Sequence, residues 1–190
     1  MKVTKEYEWN EIKWEELDVG DTIRLPEFTV PETTIGGGIE LHFEEQTVKD
    51  TATVYDIKDD KVYLVFDHAL FPSAMDLTGA TKWENTQLYR YLSDFFADSM
   101  RDSGIHVSDV SLLSKDELFG REALPFFKNG KNRIAFIKDE SCIVWCWLKN
   151  VVSMSIFYRA YYDSYTDCDA VSTAGAFVRP CFIIKRRAGK

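Results

Sequence analysis

An α+β fold, with two helices packed against mainly antiparallel strands, is predicted by three features of this sequence. Strand-like segments fill the first third of the chain, a strong helical stripe and a short capped helix follow, and β-branched, aromatic runs close it. Strands and helices occur in blocks. A regular alternation, which would indicate a parallel sheet, is absent.

The amino terminus carries Tyr7, Trp9, Ile12, Trp14 and Leu17 among many charges. Helical spacing over Ile12–Leu17 is weak, and Gly20-Asp21 reads as a turn into a short strand that ends near Leu25. From Pro26 to Gly38 two prolines and the run Gly36-Gly37-Gly38 predict a loop. Residues 1–38 are therefore expected to form a β-rich arm or lobe, and 39–190 the main domain.

In Ile39-Glu-Leu-His-Phe43 the alternation places Ile39, Leu41 and Phe43 on one side of a half-buried strand. Thr51–Ile57 and Lys61–Phe66, joined by Lys58-Asp-Asp60, read as a hairpin. His42 and His68 fall near strand edges, where ordinary surface or hydrogen-bonded histidines are expected.

A helix is predicted from Asn85 to Ser103. Leu88, Tyr91, Leu92, Phe95, Phe96 and Met100 recur every three or four residues as a core face, Asn85 is placed to cap the start, and Gly104 to stop the end. Ser114-Lys-Asp-Glu117 is a capping box for a second helix, with Leu113 and Leu118 stapling its start and Gly120 ending it. Its acidic first turn suits the helix dipole better than it suits acid–base chemistry. Leu124-Pro-Phe-Phe127, a polar turn over Lys128–Lys131, strand character through Ile137 and an exposed turn at Lys138–Ser141 complete the approach to the last segment.

Ile143–Leu148 and Phe177–Ile184 read as buried strands that frame what lies between them. That interval holds Tyr158, Tyr161, Tyr162 and Tyr165 interleaved with Arg159, Asp163, Asp167 and Asp169, which is not a core composition. Tyrosine supplies wide, stiff, amphipathic contact area, and small polar residues beside it add adaptable hydrogen bonds. The segment therefore suits binding. A solvated hairpin whose tyrosines cover the sheet is the alternative.

At 190 residues with 45% hydrophobic content, the chain can build a packed core in one domain. Its net charge of −8 argues against nucleic acid as a partner, because phosphate contact needs a basic surface and only Lys185-Arg186-Arg187 forms a basic run. No apolar run reaches the roughly 18 residues of a membrane span, so no membrane insertion is expected. Without a signal-peptide pattern the product is expected to be cytoplasmic when made, with virion or surface association still open. Cys142, Cys146, Cys168 and Cys181 show neither a secreted disulfide spacing nor a C-x-x-C pair, so no metal or other cofactor is expected. No glycine-rich phosphate loop, nucleophile elbow or zinc-protease motif occurs, so no catalytic residues are assigned.

Trp145-Cys-Trp-Leu-Lys-Asn-Val-Val-Ser153, Phe157, Ala170, Ser172 and Val178-Arg-Pro-Cys-Phe-Ile-Ile184 together resemble the carboxy-terminal repeat of variable proteins diversified by diversity-generating retroelements. These proteins belong to a C-type lectin-like family of bacteria and phages. Upstream, Trp83 with Thr86, Leu88, Tyr91, Leu92 and Phe95, Val110–Gly120, Leu124–Phe127 and Asn132–Phe136 extend the likeness over about residues 50 to 184. Phe177 and Cys181 depart from it, standing where the family usually has Gly and Ala.

The resemblance implies a lectin-like scaffold with a variable segment over 154–177, whose sequence is rewritten through errors at template adenines. It implies a ligand-binding face of Ile156, Tyr158, Arg159, Tyr161, Tyr162, Asp163, Tyr165, Asp167, Asp169 and Thr173, carried by Trp145, Trp147, Leu148, Phe157, Arg179 and Pro180 as scaffold. The partner would be an unknown protein or cell-surface ligand, with the tyrosines and Arg159 supplying most of the affinity. Calcium-dependent sugar binding is not implied, since the lectin ligand triplets are missing. A formylglycine-generating-enzyme-like oxidase, which would need two converging cysteines, and a structural virion component are the competing expectations.

Overall fold

A computed structural model describes residues 4–120, 123–140, 142–153, 155–161, 166–170 and 172–185. In chain order the strands are β1 (Glu6–Glu8), β2 (Thr22–Arg24), β3 (Phe28–Val30), β4 (Thr33–Ile35), β5 (Leu41–Phe43), β6 (Gln46–Val48), β7 (Thr51–Lys58), β8 (Lys61–Phe66), β9 (His68–Ala69) and β10 (Phe71–Pro72). After the first helical segments come β11 (Val107–Leu112), β12 (Phe136–Ile137), β13 (Cys146–Ser153), β14 (Ile156–Ala160), β15 (Thr166–Ala170), β16 (Phe177–Val178) and β17 (Pro180–Lys185). Six strands form one sheet in the order β1-β2-β7-β8-β17-β11. Five form a second in the order β10-β16-β13-β14-β15. Antiparallel pairing dominates, and helices pack against it, as an α+β protein requires.

The expected hairpin is β7–β8, turned by Asp59 in the left-handed region at φ 52° beside Asp60. Gly20, at φ 99°, makes the turn that leads into β2. β2 pairs with β7, and Ile23, Leu25, Phe28, Val30 and Ile35 share one core cluster with Leu64, Phe66, Leu88 and Trp147. Residues before Gly38 thus pack into the same core as the rest. Over Ile12–Leu17 the chain makes no α-helix; short 3-10 turns occupy Trp9–Glu11 and Trp14–Glu16.

Two expectations are corrected in this region. Pro26–Gly38 is not simply a loop, because β3 pairs with the more distant β6 and β4 forms a short hairpin with β5. Leu41 and Phe43 are buried as predicted, but Ile39 lies before the strand and is 56% exposed.

The main helical stretch runs continuously through α1 (Gln87–Arg90), a π-helical turn (Tyr91–Phe96) and α2 (Ala97–Asp102). Thr86, not Asn85, is the cap: its side chain accepts from Tyr89 N at 3.0 Å, while Asn85 ends a preceding 3-10 turn. Leu88, Tyr91, Leu92, Phe96 and Met100 are fully buried. Phe95 is 38% exposed, contrary to the predicted core stripe, because the wider π turn advances the buried face from Tyr91 to Phe96. Gly104, at φ 90°, follows the stop.

In α3 (Lys115–Phe119) the capping box is complete. Ser114 Oγ accepts from Glu117 N at 3.1 Å and Glu117 Oε2 accepts from Ser114 N at 2.6 Å, with Leu113 and Leu118 buried beside it. A Cβ at Gly120 would lie 2.7 Å from Asp116 O, so the chain can pass there only as glycine.

β13 and β16 run parallel at Cys146 and Phe177, so the two framing runs do meet. Phe177 holds strand geometry, pairs with Pro72 as well, and is not among the positive-φ residues. A side chain is therefore accommodated at this position without backbone strain.

Candidate functional site

β14 and β15 form an antiparallel ladder in which Phe157 faces Asp169, Tyr158 faces Cys168 and Arg159 faces Asp167. β15 is one of the two edge strands of its sheet among the described residues. Side chains alternate between faces along each strand, so the segment divides into two sets. Phe157, Arg159, Asp167 and Asp169 share one face; Ile156, Tyr158, Ala160 and Cys168 share the other.

Phe157 anchors the first face in the main core next to Trp147, whose indole N–H donates to Ser73 O at 2.8 Å. Arg159 lies beside this anchor and is tightly engaged. Its Nη1 is 2.7 Å from Asp169 Oδ2, its Nη2 donates to Asp167 Oδ2 at 3.3 Å, and its guanidinium sits 4.5 Å from the Trp145 ring. Only 18% of the side chain is exposed. Trp145 also stacks on Tyr161, with ring centroids 4.7 Å apart.

The carboxylates are held in turn. Asp169 Oδ1 accepts from Ala170 N at 2.8 Å and from Thr173 Oγ1 at 3.1 Å. The Cys168 amide, followed by the Arg159 guanidinium, keeps the Asp167 carboxyl below the usual carboxylate range. The arrangement is a cross-strand clamp of one cation between two anions and an indole.

On the second face Ala160 is buried against Leu148, Phe127 and Cys181, and Tyr158 packs over that cluster with the Lys115 ammonium 4.0 Å above its ring. Lys115 reaches this position from the first turn of α3. Asn150 Oδ1 on β13 accepts from the Lys115 backbone N–H at 2.6 Å, which ties the helix start to the sheet.

Ile156, Tyr158, Arg159, Tyr161, Asp167, Asp169 and Thr173 are each partly buried, and they do not form a single outward face. The β alternation separates Tyr158 and Ile156 from Arg159, Asp167 and Asp169. Tyr162, Asp163 and Tyr165 lie outside the described residues. Arg159 was expected to contact a partner directly; its guanidinium is instead occupied within the chain. Trp147, Leu148, Phe157, Arg179 and Pro180 are buried, and Trp145 is partly buried.

The cysteines are all free. Cys146 belongs to a small cluster with Ala69, Ala135 and Val144, and Cys181 to the one beneath Tyr158. Burial pushes both thiols up to about 12, while Cys142 and Cys168 are exposed. Brief treatment of the native protein with iodoacetamide at neutral pH should therefore label Cys142 and Cys168 and spare Cys146 and Cys181. Peptide mass mapping after the quench reads the outcome; rapid labelling of Cys146 would show an accessible, activated thiol.

Several polar anchors have little or no local signature in the sequence. Asp76 is fully buried, and its Oδ2 accepts from Thr78 N at 2.7 Å, Thr78 Oγ1 at 2.8 Å and Ala80 N at 2.9 Å. Asp-Leu-Thr-Gly is a recognisable side-chain-to-backbone turn sequence, so half of this motif could have been read. Its Oδ1 also accepts from Gln87 N, and Gln87 Nε2 donates to Ile35 O and Ile39 O, links that no local pattern announces. Arg179 is buried, with Nε donating to Phe66 O at 2.8 Å and Nη1 to Asn132 O at 3.3 Å. His68 is hydrogen-bonded as expected, its Nδ1 lying 2.6 Å from Asp50 Oδ1.

Among the described residues no group of three or more His, Cys, Asp or Glu side chains is placed to hold a metal ion, and no helix is long and apolar enough to cross a membrane. No family model, curated protein or solved structure matches the chain.

Proposed function

We propose that this protein is a target-recognition module of the retroelement-diversified, lectin-like class, and that the β14–β15 end of its second sheet carries the contact surface. What supports this reading most is the split of labour along β14. Phe157 and Ala160 are buried and anchor the strand to the two clusters, whereas the intervening positions and Tyr161 keep part of their surface in solvent. A strand anchored at two positions tolerates change at the others, which is what a diversified surface requires.

Within this reading Arg159 is a positioning residue. It fixes Trp145, Asp167 and Asp169 in place, and the aromatic surfaces of Tyr158 and Tyr161 meet the partner. Tyrosine is enriched among the few residues that dominate interfaces. The partner is a protein or another cell-surface ligand, matching the amphipathic rather than basic character of the segment.

Two measurements test the proposal. Sequencing the DNA that flanks the gene should reveal a near-identical template repeat beside a reverse-transcriptase gene, differing at adenines; a flank with neither removes the diversification claim. Combined replacement of Tyr158, Tyr161 and Asp167 by alanine removes a cation–π contact, a ring stack and an ion pair of about 0.5–1 kcal/mol each, and should cost about 1.5–3 kcal/mol in all. Phe157→Ala should cost about 3–5 kcal/mol. Equal losses from the two variants would mean that the proposed contact residues hold the fold, and the reading would fail.

A further inference from the structure

β15 closes one side of the second sheet, so one row of its backbone groups faces away from β14, and no strand among the described residues covers that row. Backbone N–H and C=O groups point to the two sides of a strand in alternation. A free row of them is a template on which another strand can add.

Ala170 shows which groups face outward. Its N–H donates to Asp169 Oδ1 at 2.8 Å and its carbonyl accepts from Thr173 N at 3.0 Å, so neither group is spent on β14. Alternation then places the backbone groups of Cys168 and Thr166 on the outward side as well, and those of Asp167 and Asp169 towards β14. The Cys168 N–H is also taken, because the Asp167 carboxyl accepts it. Two of the three outward donors are therefore bonded to the side chain of the residue before them.

Both caps are steadied from the neighbouring strand. Arg159 Nη1 lies 2.7 Å from Asp169 Oδ2 and Nη2 donates to Asp167 Oδ2 at 3.3 Å. Asp169 Oδ1 is left for Ala170 N and for Thr173 Oγ1 at 3.1 Å. One guanidinium thus orients two carboxylates along the edge. Their negative charge also opposes the carbonyl oxygens of any strand that approaches, and charged side chains are a common way to blunt an exposed edge.

We infer that Asp167 and Asp169 close the outer edge of β15 against strand addition, so that a second copy of this chain cannot extend the sheet there and contact at this end is made by side chains. The claim about contact rests on the target-recognition reading. The capping itself does not, and its test uses no ligand, so its failure would leave that reading in place.

Hydrogen exchange of the ¹⁵N-labelled native protein reads the caps directly. The Cys168 and Ala170 amides should exchange at least about tenfold more slowly than the same amides in the unfolded chain. Asp169→Ala should remove the protection at Ala170, and Asp167→Ala that at Cys168. The double variant Asp167→Ala/Asp169→Ala, checked for folding by far-UV circular dichroism, should associate further than the wild type in sedimentation velocity as concentration rises. Its associated form should regain protection at Cys168 and Ala170. Asp167→Asn/Asp169→Asn keeps an acceptor at each position without the charge and should associate no more than the wild type. Unprotected Cys168 and Ala170 amides in the wild type would overturn the inference, whether or not the variants fold. A folded double-alanine variant that associates no more than the wild type would do the same, as would an asparagine variant that associates as readily as the alanine one.

Discussion

Alanine in place of Asp76 is expected to lower the free energy of unfolding by about 3–4 kcal/mol, which for a chain of this size corresponds to a drop of roughly 10 °C in Tm. The fully buried carboxylate accepts four hydrogen bonds, from Thr78 N, Thr78 Oγ1, Ala80 N and Gln87 N. Truncation leaves the buried Gln87 amide without its acceptor, which costs about 1–3 kcal/mol, and releases the loop donors of Thr78 and Ala80 to solvent. The loss spreads further because Gln87 depends on the same geometry. Its Oε1 accepts from Leu77 N at 2.8 Å, and its Nε2 donates to Ile35 O at 2.6 Å.

Asparagine at this position should recover only part of the loss. Its amide nitrogen cannot accept, so either the bonds made by Oδ2 or the bond made by Oδ1 must break. Urea denaturation of the wild type, Asp76→Ala and Asp76→Asn measures the series. An Asp76→Ala protein within 1 kcal/mol of the wild type would show that the network does not hold the loop to the helix start.

Trp147→Ala should cost about 3–5 kcal/mol, the range for truncating a large buried aromatic side chain. Trp147 is 1% exposed and lies in the main core beside Phe157, and its indole N–H ties β13 to Ser73 O at 2.8 Å. In the β13–β14 ladder it stands opposite Arg159. Its removal should therefore loosen the clamp as well as the core. Trp147→Phe keeps most of the buried area and loses the hydrogen bond, so a smaller cost of about 1–2 kcal/mol is expected. Thermal unfolding followed by far-UV circular dichroism separates the two variants. A fully cooperative transition at the wild-type midpoint in Trp147→Ala would contradict this account of the core.

The features readable from the sequence share a short range. The Ser114–Glu117 capping box, the β7–β8 hairpin around Asp59 and the stripe Leu88–Met100 each depend on residues a few positions apart. Misread features depend on distant partners or on local signals that conflict with one another. β3 exists because β6, far along the chain, pairs with it, and the short β4–β5 hairpin was hidden because Pro26, Pro31 and Gly36–Gly38 surround Phe28, Val30 and Ile35. Phe95 left the core because a π turn altered the helical phase inside an otherwise regular pattern.

The candidate site shows the same division. The unusual mixture of tyrosines and aspartates between two apolar frames was visible in the residue order, and so was the buried Trp147, whereas Phe157 as an anchor came only from the resemblance. The pairing of Arg159 with Asp167 and Asp169 was not. Eight and ten residues separate these groups along the chain, and strand register alone brings them together.

The sequence by itself determined an α+β chain, its capped short helix, its main hairpin and the location of an atypical segment near the carboxy terminus. These follow from periodicity, capping and turn chemistry, which act over a few residues. Tertiary structure alone decided which face each side chain of that segment occupies, that Arg159 is engaged within the chain, and that Asp76 and Gln87 join three separate stretches. Those outcomes depend on cross-strand register and on pairing buried polar groups, which are set where strands and loops meet in the fold and leave no periodic pattern in the residue order.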